Sequence, residues 1–253
     1  MMKKLKVAIL KLASCSGCQL TILNAEEELI PMLELIEFSY FMEASSKFSR
    51  GPYDVVLVEG SISTMEDMEK VMAFRAKSKL LVAIGSCATA GGLQALRNYS
   101  KLDEFKRAVY PNPEYLEGLK KSLPISEVTN VDLELRGCPI NVEQVVQLLA
   151  GLVYGRIPRI PNHSVCIECK REGIACIMVC KGIPCLGPVT SAGCGAICPS
   201  MGRGCYGCFG PSQDFNMESL AKRLQEIGMK DVDVVLKSYN SYSEPIRRWL
   251  FKK

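Results

Sequence analysis

The chain has 253 residues, 48% of them apolar, with 31 basic and 27 acidic side chains and a net charge of +4. That is enough chain for one large domain or two smaller ones with a real core, so disulfides are not needed for folding. The charge balance is too mild to point to nucleic acid, and no Lys/Arg run exceeds two residues, which leaves a mixed, solvated surface.

The chain begins MMKKLKVAILKLASC, with lysines, an apolar run and Leu-Ala-Ser-Cys, as a lipoprotein signal would. Lys6 and Lys11 cut the apolar run to Val7–Leu10, four residues, where a signal needs about 7–15. No apolar stretch approaches the roughly 18 residues of a membrane span. The expected location is the cytoplasm, where thiols stay reduced and free to bind metal.

Leu5–Leu10 is apolar and β-branched and predicts a first strand, running into Cys15-Ser-Gly-Cys18. Leu20–Leu35 has helical spacing, with Pro31 expected to break or kink it. Leu35–Phe41 is a second strand candidate, and Asp54–Glu59 (DVVLVE) a buried one. Thr64 and Asp67 suggest a capping box before a helix at Met65–Ala76. Lys79–Ile84 is the next buried strand, followed by Gly85-Ser-Cys87 and a glycine-containing stretch, GSCATAGGL, that reads as a loop. The region that follows reads as irregular, with one helix near Pro113–Ser122. Val131–Leu135 predicts a strand ending at Gly137-Cys138-Pro139, and Val142–Leu152 a helix behind an Asn141 cap.

Strands alternating with helices predict a parallel α/β sheet over residues 1–155. Three of its strands end in cysteine motifs, at Cys15/Cys18, Cys87 and Cys138. Ligand crevices of open α/β sheets lie at the carboxyl ends of the strands. These four cysteines are therefore expected to converge there, and four thiolates are what one [4Fe–4S] cluster takes. A lone Cys87 or Cys138 would more often be a core residue. The joint placement of the three motifs is what favours a shared metal site.

Gly151–Pro161 reads as a linker, and residues 156–253 as a second, smaller domain. Its Cys166–Cys208 stretch holds nine cysteines in 43 residues and no Asp. Oxygen-seeking Ca²⁺ or Mg²⁺ is thus excluded, and soft thiolates leave zinc, Cu(I) or iron–sulfur clusters. One zinc site on the Cys166/Cys169 and Cys205/Cys208 pairs would leave five cysteines of the stretch unused. Two four-thiolate clusters use eight of the nine. Cys138-Pro139 and Cys198-Pro199 also carry the Cys-Pro ending of ferredoxin ligand runs. The most economical count is three clusters on twelve of the thirteen cysteines. Beyond the block, Phe215–Ile227 predicts an amphipathic helix with Met217, Leu220, Ala221, Leu224 and Ile227 on one stripe. Val232–Leu236 is an apolar run, and Ser243–Phe251, with Trp249, a short helix covering the core.

Taken together, KLASCSGCQ, AIGSCA, RGCP and PCLGPVTSAGCGAICP…GCYGC resemble the small subunit of [NiFe] hydrogenases. The resemblance spans essentially the whole chain. It is strongest to the cytoplasmic, multi-subunit branch with archaeal sulfhydrogenase delta and F420-linked hydrogenase gamma subunits. It implies a flavodoxin-like parallel sheet domain followed by a smaller, mostly irregular and helical iron–sulfur domain. It implies a proximal cluster on Cys15, Cys18, Cys87 and Cys138. The medial cluster falls to Cys194, Cys198, Cys205 and Cys208, with Cys198 supplying a fourth thiolate where many periplasmic relatives have proline. The distal cluster falls to Cys166, Cys169 and Cys185 plus one more cysteine. Cys166 stands where periplasmic relatives have histidine, and the sole histidine, His163, is left out of the set. Spacing permits Cys176 or Cys180 as the fourth distal ligand. The choice falls on Cys176, because cytoplasmic relatives keep a cysteine there and Cys180 ends the apolar run IMVC, as a buried thiol would.

The resemblance further implies that no catalytic residue lies on this chain. H₂ would be split on a partner large subunit holding nickel and iron. Electrons would leave through three [4Fe–4S] clusters toward a flavin/iron–sulfur subunit that contacts NAD(P) or another carrier. No nucleic acid, membrane or nucleotide-binding GxGxxG motif is expected. Two rivals stand beside it. One is a zinc-stabilised scaffold. The other is a quinone-reductase-type electron-transfer subunit, whose adjacent Cys-Cys pair does not occur here.

Overall fold

The computed structural model describes residues 4–230 and residue 232. The expected helix at Ser243–Phe251 lies outside the described residues, as does all of the Val232–Leu236 run except Val232, which is buried. The chain divides into two compact units, Met1–Pro158 and Arg159–Lys253.

The first unit is built on five parallel strands: β1 (Leu5–Lys11), β2 (Ile36–Phe41), β3 (Tyr53–Glu59), β4 (Ser78–Ile84) and β5 (Leu133–Leu135). Their order, β2-β1-β3-β4-β5, is the flavodoxin-like order, with its switch point between β1 and β3. Val7–Leu10 and Val55–Val58 are buried on both faces of the sheet, which is why these strands read as unbroken apolar runs. On one face Ala8, Leu10, Val56, Val58, Leu81 and Ala83 form a core with Val71 and Ile125.

Helix α1 (Gly17–Leu23) follows β1, and α2 (Glu26–Met32) follows it directly. The predicted Leu20–Leu35 helix is therefore interrupted at Asn24–Ala25 rather than at Pro31, which sits in the last turn of α2. Pro31 cannot donate the i→i−4 bond of a helix interior, and α2 ends one residue later, at Met32. Helix α3 (Met65–Ala76) packs on β3 and β4 and carries the expected Thr64/Asp67 capping box.

The GSCATAGGL stretch is not a loop. Gly85–Ala90 forms helix α4 at the very end of β4, and the paired glycines follow the helix rather than interrupting it. Ser86, Ala88 and Ala90 are small enough to bury against the sheet edge. The helix expected near Pro113–Ser122 is absent. Only a 3₁₀ turn, Pro113–Tyr115, forms there. Downstream, the backbone N–H groups of Leu119 and Leu123 donate to Ser63 and Ile62 carbonyls. That tertiary pairing takes the groups a helix would have used. A helix forms earlier instead, α5 (Leu102–Val109), with Asp103 and Glu104 in its first turn and Lys106 and Arg107 in its last, charges that complement its dipole. Helix α6 (Val142–Val153) closes the unit, with Asn141 accepting from Glu143 and Gln144 N–H.

Among its described residues the second unit has the short helices α7 (Val165–Arg171), α8 (Ile177–Cys180), α9 (Ile197–Ser200) and α10 (Met217–Glu226), joined by irregular segments. Helix α10 buries Met217, Leu220, Ala221 and Leu224, the predicted stripe, and is capped by Asn216. No helix among the described residues is long and apolar enough to cross a membrane.

Candidate metal centres

All five strands run the same way, so their carboxyl ends share one edge. Cys15 and Cys18 follow β1, Cys87 lies in α4 directly after β4, and Cys138 follows β5. Ser86 N–H and Oγ both donate to Gly137 O, at 2.7 and 3.0 Å, tying the turn into α4 to the Cys138 loop. Gln94 accepts from Cys87 Sγ at 3.4 Å and donates to Ala13 O at 2.8 Å, tying Cys87 to the Cys15 loop. A Cβ placed on Gly17 would lie 3.2 Å from Cys15 Sγ and 4.0 Å from Pro139. One placed on Gly85 would lie 2.4 Å from Cys18 Sγ. The structure thus brings the four N-terminal cysteines to one place at the strand ends.

A carboxylate joins them. Glu59, the last residue of β3, is only 2% exposed. It accepts from Cys18 N–H at 3.0 Å and from Gln19 Nε2 at 2.6 Å. Burial pushes the Cys18 thiol far up, and the Glu59 charge adds to it. Burial, with Cys138 next, pushes Cys87 up to about 11, and Cys138 is raised by burial and by Cys15. Each such thiol must release its proton to bind a metal, and a cationic centre would supply the counter-charge that the buried thiolates lack.

In the second unit, Cys166 and Cys169 on α7, Cys176 at the start of α8 and Cys185 line one cavity of about 110 Å³, together with Ile177 and Met178. Cys180 is not on its wall, and like Cys176 it is exposed, not buried as the apolar run IMVC suggests. The single turn of α8 has room to bury one side only. Ile177 and Met178 take that side, and Val179 and Cys180 face out. His163 is also off the cavity wall, with Nδ1 3.2 Å from Ser164 O.

Cys194, Cys198, Cys205 and Cys208 lie alongside. Burial is the main cause that raises Cys194, with Glu168 next and Cys198 also contributing. Burial pushes Cys205 up to about 12, with Cys185 and Cys208 adding to the rise. Cys185 Sγ accepts N–H groups from Cys205 at 3.2 Å and Gly187 at 3.4 Å, and Cys205 Sγ accepts from Gly207 at 3.4 Å. Leu186 N–H donates back to Cys205 O at 3.0 Å. The turns bearing Cys185 and Cys205 are thereby interlocked, and the first of these bonds ties the backbone at one cysteine to the sulfur of the other. Among the described residues no three His, Cys, Asp or Glu side chains are gathered to hold a single metal ion. Thiols around a cubane stand farther apart, because four irons and four sulfides lie between them. All-thiol donor sets with backbone N–H groups aimed at sulfur suit that group.

The family model described as NADH ubiquinone oxidoreductase, 20 kDa subunit, matches residues 15–152. That segment holds the strand-end cysteines and stops before the cysteine-rich block. The sulfhydrogenase 2 delta subunit of Pyrococcus furiosus is 40% identical over 88% of this chain and 93% of its own. The chain belongs to the [NiFe]-hydrogenase small-subunit family. A subunit of the F420-non-reducing hydrogenase of Methanothermobacter marburgensis is 30% identical, covering 94% of this chain and 86% of its own. A chain of an NAD⁺-reducing [NiFe]-hydrogenase, in its H₂-reduced state, superposes with a TM-score of 0.58 at 29% identity, covering 63% of this chain and 96% of its own. As a small subunit, this protein is an oxidoreductase component whose part is electron transfer.

Three residues of these centres were not anticipated from the sequence. Glu59 had a signal, a charge directly after the apolar run Val55–Val58 of β3. Glu168 had one too, an acid between two paired cysteines. Gln94 had none, since its two partners lie 7 and 81 residues away along the chain.

Proposed function

We propose that this chain is the electron-transfer small subunit of a cytoplasmic [NiFe] hydrogenase of the sulfhydrogenase kind, holding three [4Fe–4S] clusters. The proximal set is Cys15, Cys18, Cys87 and Cys138. The medial set is Cys194, Cys198, Cys205 and Cys208, and the distal set Cys166, Cys169, Cys176 and Cys185. Such a cluster, when bound, takes up and gives back one electron at a time. The chain's own residues supply the thiolates, exclude water and set the local field. The partners are a large subunit with the nickel–iron centre and a flavin/iron–sulfur subunit that contacts NAD(P) or another carrier.

The observation that carries this reading is the grouping of the thiols: four at the strand ends of one unit, four on one cavity wall of the other, and four beside that wall. Metal analysis of the purified chain tests it. About twelve irons per chain, with broad visible absorption, is expected for three four-iron sites. Zinc without colour would reject it and favour the scaffold reading.

The choice within the distal set is tested separately. Cys176 lines the cavity and Cys180 does not. Cys176→Ser should therefore lower iron by up to about four per chain, and Cys180→Ser should leave it unchanged. The opposite pattern would move the ligand to Cys180.

A further inference from the structure

One acidic side chain in the second unit links the segments that bear the two proposed cluster sites. Glu168 sits on α7 between Cys166 and Cys169, the paired thiols of the cavity wall. Its side chain reaches away from that pair to the loop bearing the other set. Oε1 accepts the Gly193 N–H at 2.8 Å, and Oε2 lies 3.8 Å from Cys194 Sγ. The contact spans 26 residues of chain, so it belongs to the tertiary structure and not to a local turn. The carboxylate does two separable things. Through Gly193 it anchors the backbone from which Cys194 projects. Through its charge it stands beside a sulfur that must itself become negative to hold iron.

We infer that Glu168 is a positioning residue that also sets potential: its carboxylate fixes the Cys194 loop on α7 and, as a fixed negative charge, lowers the reduction potential of the cluster held by Cys194. The inference rests on the cluster assignment proposed above. The physical ground is simple. Adding an electron makes a cluster more negative, and a carboxylate a few ångströms from one of its thiolates opposes that charge in a partly dry site. Residues that touch a metal's ligands in this way tune it without binding it.

Glu168→Gln separates the two roles. The amide carbonyl still accepts from Gly193 N–H, and the charge is gone. The full chain is reconstituted with iron and sulfide, iron is counted, and the clusters are titrated under paramagnetic resonance. Glu168→Gln is expected to keep its full iron while one titrating component moves to higher potential. At a fixed solution potential its ratio of oxidised to reduced cluster should fall about tenfold, equivalent to about 59 mV for one electron. Glu168→Ala should move the same component upward and also retain less iron, because the Gly193 anchor is lost. Full iron with every component unmoved in Glu168→Gln overturns the inference. So does loss of iron in Glu168→Gln, which would make the role structural alone. A wild-type chain that takes up no iron defeats the cluster assignment and this inference together, and it shows before either variant is measured.

Discussion

Gly85→Ala is expected to strip this small subunit of one cluster. Gly85 is the hinge between β4 and α4, with φ of +81°, a conformation that costs an L-residue on the order of 1–2 kcal/mol. The larger effect is steric. An added Cβ would stand 2.4 Å from Cys18 Sγ, and the cysteine has nowhere to retreat. Its backbone N–H is held by the buried Glu59 carboxylate at 3.0 Å, and the residue is only 7% exposed. Either Cys18 leaves the strand-end site or α4 shifts and carries Cys87 with it. Iron should fall by about a third, from about twelve to about eight per chain. The sheet core does not include Gly85, so the far-ultraviolet circular dichroism should be kept. Gly118→Ala is the control, because its Cβ would meet nothing nearer than Ser63 O at 3.6 Å. Equal iron in the two variants would remove Cys18 from the ligand set.

Gly204→Ala should be costlier. Its Cβ would fall 1.8 Å from Pro184 O and 2.9 Å from the carbonyl carbon. The obstacle is backbone, which cannot rotate away as a side chain can. Overpacking ordinarily costs about 1–3 kcal/mol, and a clash with backbone belongs at or above the upper end. Gly204 precedes Cys205, and Pro184 precedes Cys185. Parting them breaks the Cys205 N–H to Cys185 Sγ bond of 3.2 Å and the Leu186 N–H to Cys205 O bond of 3.0 Å. One thiol of each set in the second unit is displaced together. Iron should drop by about two thirds, leaving about four per chain on the strand-end cysteines. Full retention of iron in Gly204→Ala would mean that the two turns need not interlock to hold metal.

Both substitutions concern close approaches that the chain order conceals. The strands were legible, because β1, β3 and β4 are buried on both faces and so read as continuous apolar runs. The α3 capping box and the Asn141 cap were legible because capping is a contact between neighbours in sequence. The errors have one physical origin. The sequence of residues 113–122 predicts a helix, but the N–H groups of Leu119 and Leu123, near and just past its end, are taken by the segment after β3. The glycine-containing sequence from Gly85 predicts a loop, but small side chains let residues 85–90 coil against the sheet edge. Local preference is weak enough for tertiary pairing to override it. Glu59, Gln94 and Glu168 reach the centres in the same way, through partners on other segments of the chain.

By itself the sequence determined the parallel sheet, the placing of three cysteine motifs after strands, the thiol inventory and the family. Each of these follows from residue type, local spacing or shared motif. Which thiols face one another is a different kind of fact. Cys176 and Cys180 stand 7 and 11 residues beyond Cys169, and a flexible segment of either length reaches the same point. The tertiary structure decided between their surroundings, because one short turn of helix has a single buried side. Ile177 and Met178 occupy that side of α8, and both thiols are exposed, but Cys176 at the start of the turn stands on the cavity wall and Cys180 does not.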